Sequence, residues 1–284
     1  MLRDEQVKFY HEHGYIGVEN VVSAAEIQEL RSVTEDFVEQ TRQITSHTAV
    51  FDLEPGHTAE SPKLRRLKEP IKQHKVYDQI LRHPSILAIV SQLIGPNLRT
   101  NGNKLNMKSP GFGSPVEWHQ DWAFYPQTND DLLAVGIAMD DIMLENGPLL
   151  VIPGSHNGPV YSHHQDGYFV GAVTDMSFDI TTAVPIELKA GGISIHHVRT
   201  LHASAANTSD RPRRLLLNQY CAADAWPLHG VGDLEAFDAA MIQGESTIVP
   251  RLEAVPVRIP LPPPAKTGSI YELQSQLKKS TLKM

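Results

Sequence analysis

The residues best suited to chemistry lie in Val116-Glu117-Trp118-His119-Gln120-Asp121-Trp122-Ala123-Phe124-Tyr125. At the centre, His119-x-Asp121 sets an imidazole and a carboxylate two residues apart. On an extended strand alternate side chains leave the same face, so this spacing aims both groups at one point. Trp118, Gln120 and Trp122 then leave the other face. Two ligands do not hold a transition metal alone, and a third must come from elsewhere in the chain. Downstream, Ile193-Ser194-Ile195-His196-His197-Val198-Arg199-Thr200-Leu201-His202 offers three histidines. Two histidines and one carboxylate on one face of a metal form the facial triad of non-haem iron(II) oxygenases, which leaves positions open for a cosubstrate and O2.

His196 and His197 are neighbours on a strand-like run and point to opposite faces, so at most one of them faces His119. His202 has a stronger context. A polar turn follows it, and the returning strand opens with Arg213, eleven residues on. Arg213 is placed to reach the same cavity and to grip a dicarboxylate through its two-pronged guanidinium. Arg214 leaves the opposite face. His202 is therefore the expected third ligand.

These residues need a scaffold. Residues 4–13 read as a short helix that stops at Gly14, and Tyr15-Ile16-Gly17-Val18 as a strand. Ser23 and Glu26 have capping-box spacing before a helix over about 24–42, whose Ile27, Leu30, Val33 and Phe37 recur at helical spacing. Residues 45–62 read as a loop, and helices are predicted over 72–82 and 84–94, the second bounded by His83-Pro84 and Gly95-Pro96. From Leu98 onward short strand-like runs alternate with turn clusters, which predicts a β-sandwich or barrel rather than a βαβ array. The Pro260–Pro264 run leads to a short basic helix over about 270–280. One domain over 1–284 is expected, with a helical N-terminal layer over about 1–97, a β core over about 98–225 and a C-terminal extension over about 226–284.

Composition narrows the function. The formal charge of −8 argues against a nucleic-acid or anionic-membrane surface, though local arginines still suit a small anion. Cys221 is the sole cysteine, so an intramolecular disulfide and a thiolate cluster are excluded. The N-terminus does not read as a signal peptide and no run approaches a membrane span, so a soluble, cytoplasmic protein is expected.

In sequence order the chain resembles the phytanoyl-CoA dioxygenase family of Fe(II)/2-oxoglutarate oxygenases. The resemblance is carried by Phe9-Tyr10-His11-Glu12-His13-Gly14-Tyr15, by Lys108-Ser109-Pro110-Gly111 with Trp118-His119-Gln120-Asp121, and by Leu144-Glu145-Asn146-Gly147-Pro148-Leu149 with Ile152-Pro153-Gly154-Ser155-His156. It ends with the segment from His202 to Arg213. It implies a mainly β fold with flanking helices, around a double-stranded β-helix (jelly-roll, cupin-like) core. It implies iron on His119, Asp121 and His202, with 2-oxoglutarate and O2 as cosubstrates. Arg213 would hold the distal carboxylate of 2-oxoglutarate with Ser204 beside it. Asn106 matches a position near the 1-carboxylate end, and Lys104 shares its strand and face. Arg66 lies near where many members carry a basic residue. Asp121 speaks against the halogenating subset, which lacks that carboxylate.

The activity so implied is oxidation, foremost hydroxylation, of an unactivated C–H bond in a small molecule, with 2-oxoglutarate decarboxylated to succinate. Desaturation, epoxidation and ring formation use the same iron. Of other classes, a cupin-type isomerase or dioxygenase would not require Arg213 or Asn106, and a non-catalytic sensor on this fold would be expected to have lost a ligand. No cluster of lysines and arginines suits a CoA phosphate, which favours a small organic acid or secondary metabolite. Residues 45–62, 123–131 and 160–180 are expected to form the mouth, with Trp122, Phe124 and Trp226 as candidate substrate contacts. Against these stand plainer readings. His156 reads as a turn residue, His163-His164-Gln165-Asp166 as a solvated loop, His196 and His197 as strand-face fillers, and Cys221 as an inert buried thiol.

Overall fold

A computed structural model describes residues 1–282. Helix α1 (Asp4–His13) runs into strand β1 (Tyr15–Val18) through Gly14, whose φ of 77° puts it in the left-handed region that glycine tolerates. A side chain there would collide with the His156 ring and the Thr200 hydroxyl. Helix α2 (Ala24–Gln40) opens on the expected capping box: Ser23 N donates to Glu26 Oε2 at 2.9 Å, and Ser23 Oγ accepts from Glu26 N at 3.3 Å. The stretch expected as a loop contains a short strand, β2 (Phe51–Leu53), paired with β3 (Leu64–Lys68). Its turn residues had hidden a three-residue pairing supplied by a distant partner. The helix predicted over 72–82 is split into α3 (Pro70–Gln73) and α4 (Lys75–Leu81), because His74 is extended and caps the second with its ring. Helix α5 (Pro84–Ile94) has Pro84 in its first turn and stops at Gly95, as its flanks predict.

The β strands build two facing sheets. The larger has the order β1, β11 (Ile193–His197), β6 (Leu132–Ala138), β13 (Arg213–Ala222), β4 (Leu98–Lys108), β3, β2, with β14 (Met241–Gln243) on the far end of β4. The smaller has the order β10 (Val184–Ile186), β7 (Leu149–Val151), β12 (His202–Ser204), β5 (Val116–His119). A hairpin of β8 (His164–Gln165) and β9 (Tyr168–Phe169) stands apart. All these pairings are antiparallel. The architecture is a jelly-roll with flanking helices, as the resemblance implied. The N-terminal layer is not purely helical, however, since β1, β2 and β3 widen the large sheet.

Strand β13 shows how this sheet separates a core from a cavity. Leu216 and Tyr220 point outward and are fully buried with Leu30, Tyr77, Leu81, Ile86 and Val90 of the helices. Arg213, Leu215, Leu217 and Gln219 alternate with them and face the space between the sheets. The C-terminal helix is shorter than expected: α6 (Leu234–Ala239) precedes it, and α7 covers only Ile270–Gln274. Gln274 fastens α7 to the small sheet, accepting from Glu117 N at 2.9 Å and donating to Gly171 O at 2.8 Å. Among the described residues no helix is long and apolar enough to cross a membrane.

Candidate active site

Strands β12 and β5 are hydrogen-bonded neighbours, and His202 lies directly across from His119. Cross-strand partners bring their side chains within about 5 Å of each other, and the two rings lie 4.0 Å apart between centroids. Asp121 joins them from two residues further on, because Gln120 between them is still extended, with φ −119° and ψ 126°. β5 ends at His119, and Asp121 opens a single 3₁₀ turn, Asp121–Ala123. Alternation through Gln120 therefore carries the carboxylate to the face of His119, and the turn redirects the residues after it. One ligand atom from each of His119, Asp121 and His202 lies within 4.8 Å of the others, and all three residues are buried.

The protonation of this cluster suits a cation. His119 Nδ1 lies 2.8 Å from the Glu117 carbonyl and His202 Nδ1 lies 2.9 Å from the Thr200 carbonyl. A carbonyl only accepts, so both rings carry their proton on Nδ1 and leave the Nε2 lone pair free on the cavity side. Burial lowers the pKa of His119 to about 4 and that of His202 well below the usual imidazole range, so both are neutral. Burial works against the Asp121 carboxylate, but Lys104 and His196 outweigh it and hold its pKa well below the usual value. Gln219 Nε2 reaches Asp121 Oδ2 at 3.3 Å and also meets the Tyr125 hydroxyl, which steers the carboxylate.

From this cluster a narrow cavity runs between the sheets to Arg213, past Asn106, Val116, Leu149, Leu215 and Leu217. A register shift between His202 and Ser204 lets both His119 and Val116 line it. Arg213 is only 3 % exposed. Its Nη2 donates to Ser204 Oγ at 3.1 Å, its Nε has no partner among the described residues, and burial lowers its pKa to about 10. No carboxylate of the described residues pairs with it. Lys108, also buried, donates to Ser204 Oγ at 2.7 Å and to the carbonyls of Ser204 and Ala205, which pins the serine. Asn106 Oδ1 is buried without a partner, and Lys104 lines the cavity two residues along the same strand face. Arg214, on the other face of β13, is held by Asp140 at 2.7 Å and by Glu35.

The mouth differs from expectation. A wider chamber of about 290 Å³ adjoins Asp121, near the low end for small-molecule sites. It is lined by Arg66, Glu69, Gly102, Asn103, Lys104, Phe124, Tyr125 and Gln219, and roofed by Gly268, Ser269, Ile270 and Leu273. Of the stretches expected at the mouth, 123–131 contributes Phe124 and Tyr125, whereas the C-terminal segment supplies the wall expected of residues 45–62 and 160–180. That segment has no local pattern marking it as a roof, because its position is fixed by Gln274 and by Tyr271 stacked under the Arg65 guanidinium, 4.2 Å away.

Of the aromatic candidates, only Phe124 reaches the chamber, its ring 5.9 Å from that of His119. Trp122 is instead fully buried with Leu132, Val160, Val198, Cys221 and Ala225, and its indole N–H donates to Pro256 O at 2.8 Å. The 3₁₀ turn carries it away from the cavity. Trp226 stacks on Phe237 and donates to Thr247 O at 3.2 Å, remote from the metal cluster. Trp122→Ala should cost about 3–5 kcal/mol by emptying that buried cluster, measured by denaturant unfolding, while leaving the Michaelis constant of 2-oxoglutarate unchanged.

Two further histidines were misjudged. His196 faces the cavity rather than filling the core: its Nε2 is 3.5 Å from Asp121 Oδ2, and neither ring nitrogen has a hydrogen-bond partner among the described residues. Strand alternation in β11 could have found it, since only one of His196 and His197 can face inward. His163 is 1 % exposed rather than solvated, and its Nε2 accepts from Gln120 N at 2.9 Å, bracing the link between His119 and Asp121.

The family model described as phytanoyl-CoA dioxygenase (PhyH) matches residues 10–215. The chain is 36 % identical over 279 residues to a probable alpha-ketoglutarate-dependent hypophosphite dioxygenase of Stutzerimonas stutzeri, covering 96 % of this chain and 97 % of that one. It is 27 % identical to the peroxisomal phytanoyl-CoA dioxygenase of Rattus norvegicus, over 78 % of this chain and 68 % of that one. Among solved structures it resembles SnoK, a non-haem alpha-ketoglutarate-dependent carbocyclase from nogalamycin biosynthesis, with 25 % identity, a TM-score of 0.62 and coverage of 89 % and 97 %. With a neutral pair of histidines and a carboxylate converging at one end of a jelly-roll cavity and an unpaired arginine at the other, the chain belongs to the phytanoyl-CoA dioxygenase family and is an iron- and 2-oxoglutarate-dependent dioxygenase.

Proposed function

We propose that His119, Asp121 and His202 hold the iron, and that Arg213 and Ser204 hold the distal carboxylate of 2-oxoglutarate, with Asn106 nearer the metal. One observation carries the reading: a His119–Asp121–His202 cluster with two Nε2 lone pairs turned inward shares one narrow cavity with a buried Arg213 that no carboxylate of the described residues pairs with. When bound, the iron would activate O2, the oxidant, which takes two electrons from 2-oxoglutarate, released as CO2 and a succinate carrying one of the oxygen atoms, and two from the substrate. The chain's own part is positional. Lys108 fixes Ser204, Gln219 and Tyr125 fix Asp121, and the apolar walls Val116, Leu215 and Leu217 exclude water along the cosubstrate's path.

The substrate enters the chamber beside Asp121 and is small, and its reactive bond is oxidised, foremost hydroxylated. The size of the chamber supports a compact ligand, as does the near full-length similarity to a protein named for hypophosphite. The anaerobic protein is expected to take up about one Fe(II) and one 2-oxoglutarate by titration, and to release succinate in air. Phe124→Ala tests the chamber: 2-oxoglutarate consumption should continue while product per succinate falls, and the melting temperature should move little. Failure of the wild-type protein to bind 2-oxoglutarate in the presence of iron would end the reading.

A further inference from the structure

The cavity that holds Arg213 also holds a hydroxyl that the fold itself does not use. Tyr271 of α7 lines this cavity together with Arg213, Ser204 and Asn106. It is only 7 % exposed, and its hydroxyl has no hydrogen-bond partner among the described residues. A buried donor without an acceptor is costly, so such groups are rare. Tyr77 and Tyr220, also buried, are satisfied by the Thr34 hydroxyl at 2.9 Å and the Leu81 carbonyl at 2.8 Å. Tyr10, the other buried tyrosine without a partner, lies in the apolar core and faces no cavity residue.

The surroundings of Tyr271 fix its ring and leave its proton available. The Arg65 guanidinium lies 4.2 Å over the ring, and Gln274 ties the helix to Glu117 and Gly171. Burial raises the pKa of the phenol while the charge of Arg213 opposes the rise, so at neutral pH the hydroxyl keeps its proton. Glu54, an acid that also acts on it, is engaged by Ser114 N at 3.0 Å and Ser114 Oγ at 2.6 Å.

Ser204, by contrast, has nothing left to give. A hydroxyl has one proton and two lone pairs. The Ser204 proton goes to the Gly147 carbonyl at 3.0 Å, and its oxygen accepts from Lys108 at 2.7 Å and from Arg213 at 3.1 Å. Of the two hydroxyls that line the cavity, Tyr271 is the one whose proton is free.

We propose that the Tyr271 hydroxyl donates a hydrogen bond to the distal carboxylate of 2-oxoglutarate beside Arg213, while Ser204 acts through the guanidinium it orients. This rests on the reading of Arg213 as the anchor of that carboxylate. It moves the hydroxyl contact from Ser204 to the C-terminal helix. It also links the two parts of the site. Ile270 lines both the cosubstrate cavity and the chamber, and Ser269 and Leu273 roof the chamber, so a cosubstrate held by Tyr271 seats the roof over the substrate.

Calorimetric titration of the anaerobic, iron-loaded protein with 2-oxoglutarate tests the assignment. Tyr271→Phe keeps the ring over which Arg65 lies and removes only the hydroxyl. It should weaken 2-oxoglutarate roughly 10- to 100-fold, the loss of one hydrogen bond to a charged acceptor. Fe(II) affinity should be unchanged and the melting temperature should not fall. A tyrosine with a purely structural part would leave the cosubstrate's affinity where it is. The assignment is overturned if Tyr271→Phe binds 2-oxoglutarate within about threefold of the wild type. Should the variant fail to fold, the wild type decides: 2-oxoglutarate added to the iron-loaded protein should slow amide exchange across Ile270–Gln274, and equal exchange with and without it overturns the assignment. If the wild type binds no 2-oxoglutarate at all, the reading of Arg213 falls as well, which tells that failure from a failure of Tyr271 alone.

Discussion

His202→Ala should abolish succinate formation coupled to substrate oxidation, with turnover down by more than about 100-fold. Disturbing the outer partners of a metal ligand already costs about 10- to 100-fold, and removing a ligand must cost more. His119→Ala and Asp121→Ala should behave alike, and none should take up stoichiometric Fe(II). The folded structure should survive, because these side chains point into a cavity rather than into the apolar layers. The informative control is His196→Ala. His196 sits beside the cluster, 4.3 Å from His202 between ring centroids, without belonging to the three-atom set. Its variant should retain iron. If His196→Ala lost the metal while His202→Ala kept it, the proposed ligand set would be wrong.

Adjacent arginines on β13 should give opposite phenotypes. Truncating one partner of a desolvated charge pair costs about 2–4 kcal/mol, since the other charge is left alone. Arg213→Ala should therefore raise the Michaelis constant of 2-oxoglutarate roughly 30- to 1,000-fold at about 1.4 kcal/mol per decade, with iron affinity nearly unchanged. Arg214→Ala removes the partner of Asp140, a carboxylate that Arg31 meets only at 3.4 Å. It should cost about 3 kcal/mol of stability, because Asp140 keeps only the longer Arg31 pair, and leave the Michaelis constant alone. Steady-state kinetics and thermal melts on both variants decide the matter, and equal kinetic losses would contradict the strand geometry.

Much of this was legible in the chain itself. Capping at Ser23 and Glu26, Pro84 at the start of a helix and Gly14 at the end of another are local signals, because their hydrogen bonds and backbone angles involve neighbours in sequence. The opposite faces of Arg213 and Arg214 follow from strand geometry alone. The order of the motifs from Phe9 to Arg213 pointed to the family and so to a jelly-roll.

Tertiary structure decided the rest. A 3₁₀ turn starts at Asp121, and Trp122 within it lies in a buried cluster rather than against the substrate. His196 acquires meaning only when β11 takes its place in the large sheet. The C-terminal roof depends on Gln274 reaching Glu117, 157 residues earlier. Sequence periodicity reports which face of an element is apolar. It does not report which distant backbone will supply a partner, since that is set by the closure of two sheets around one cavity.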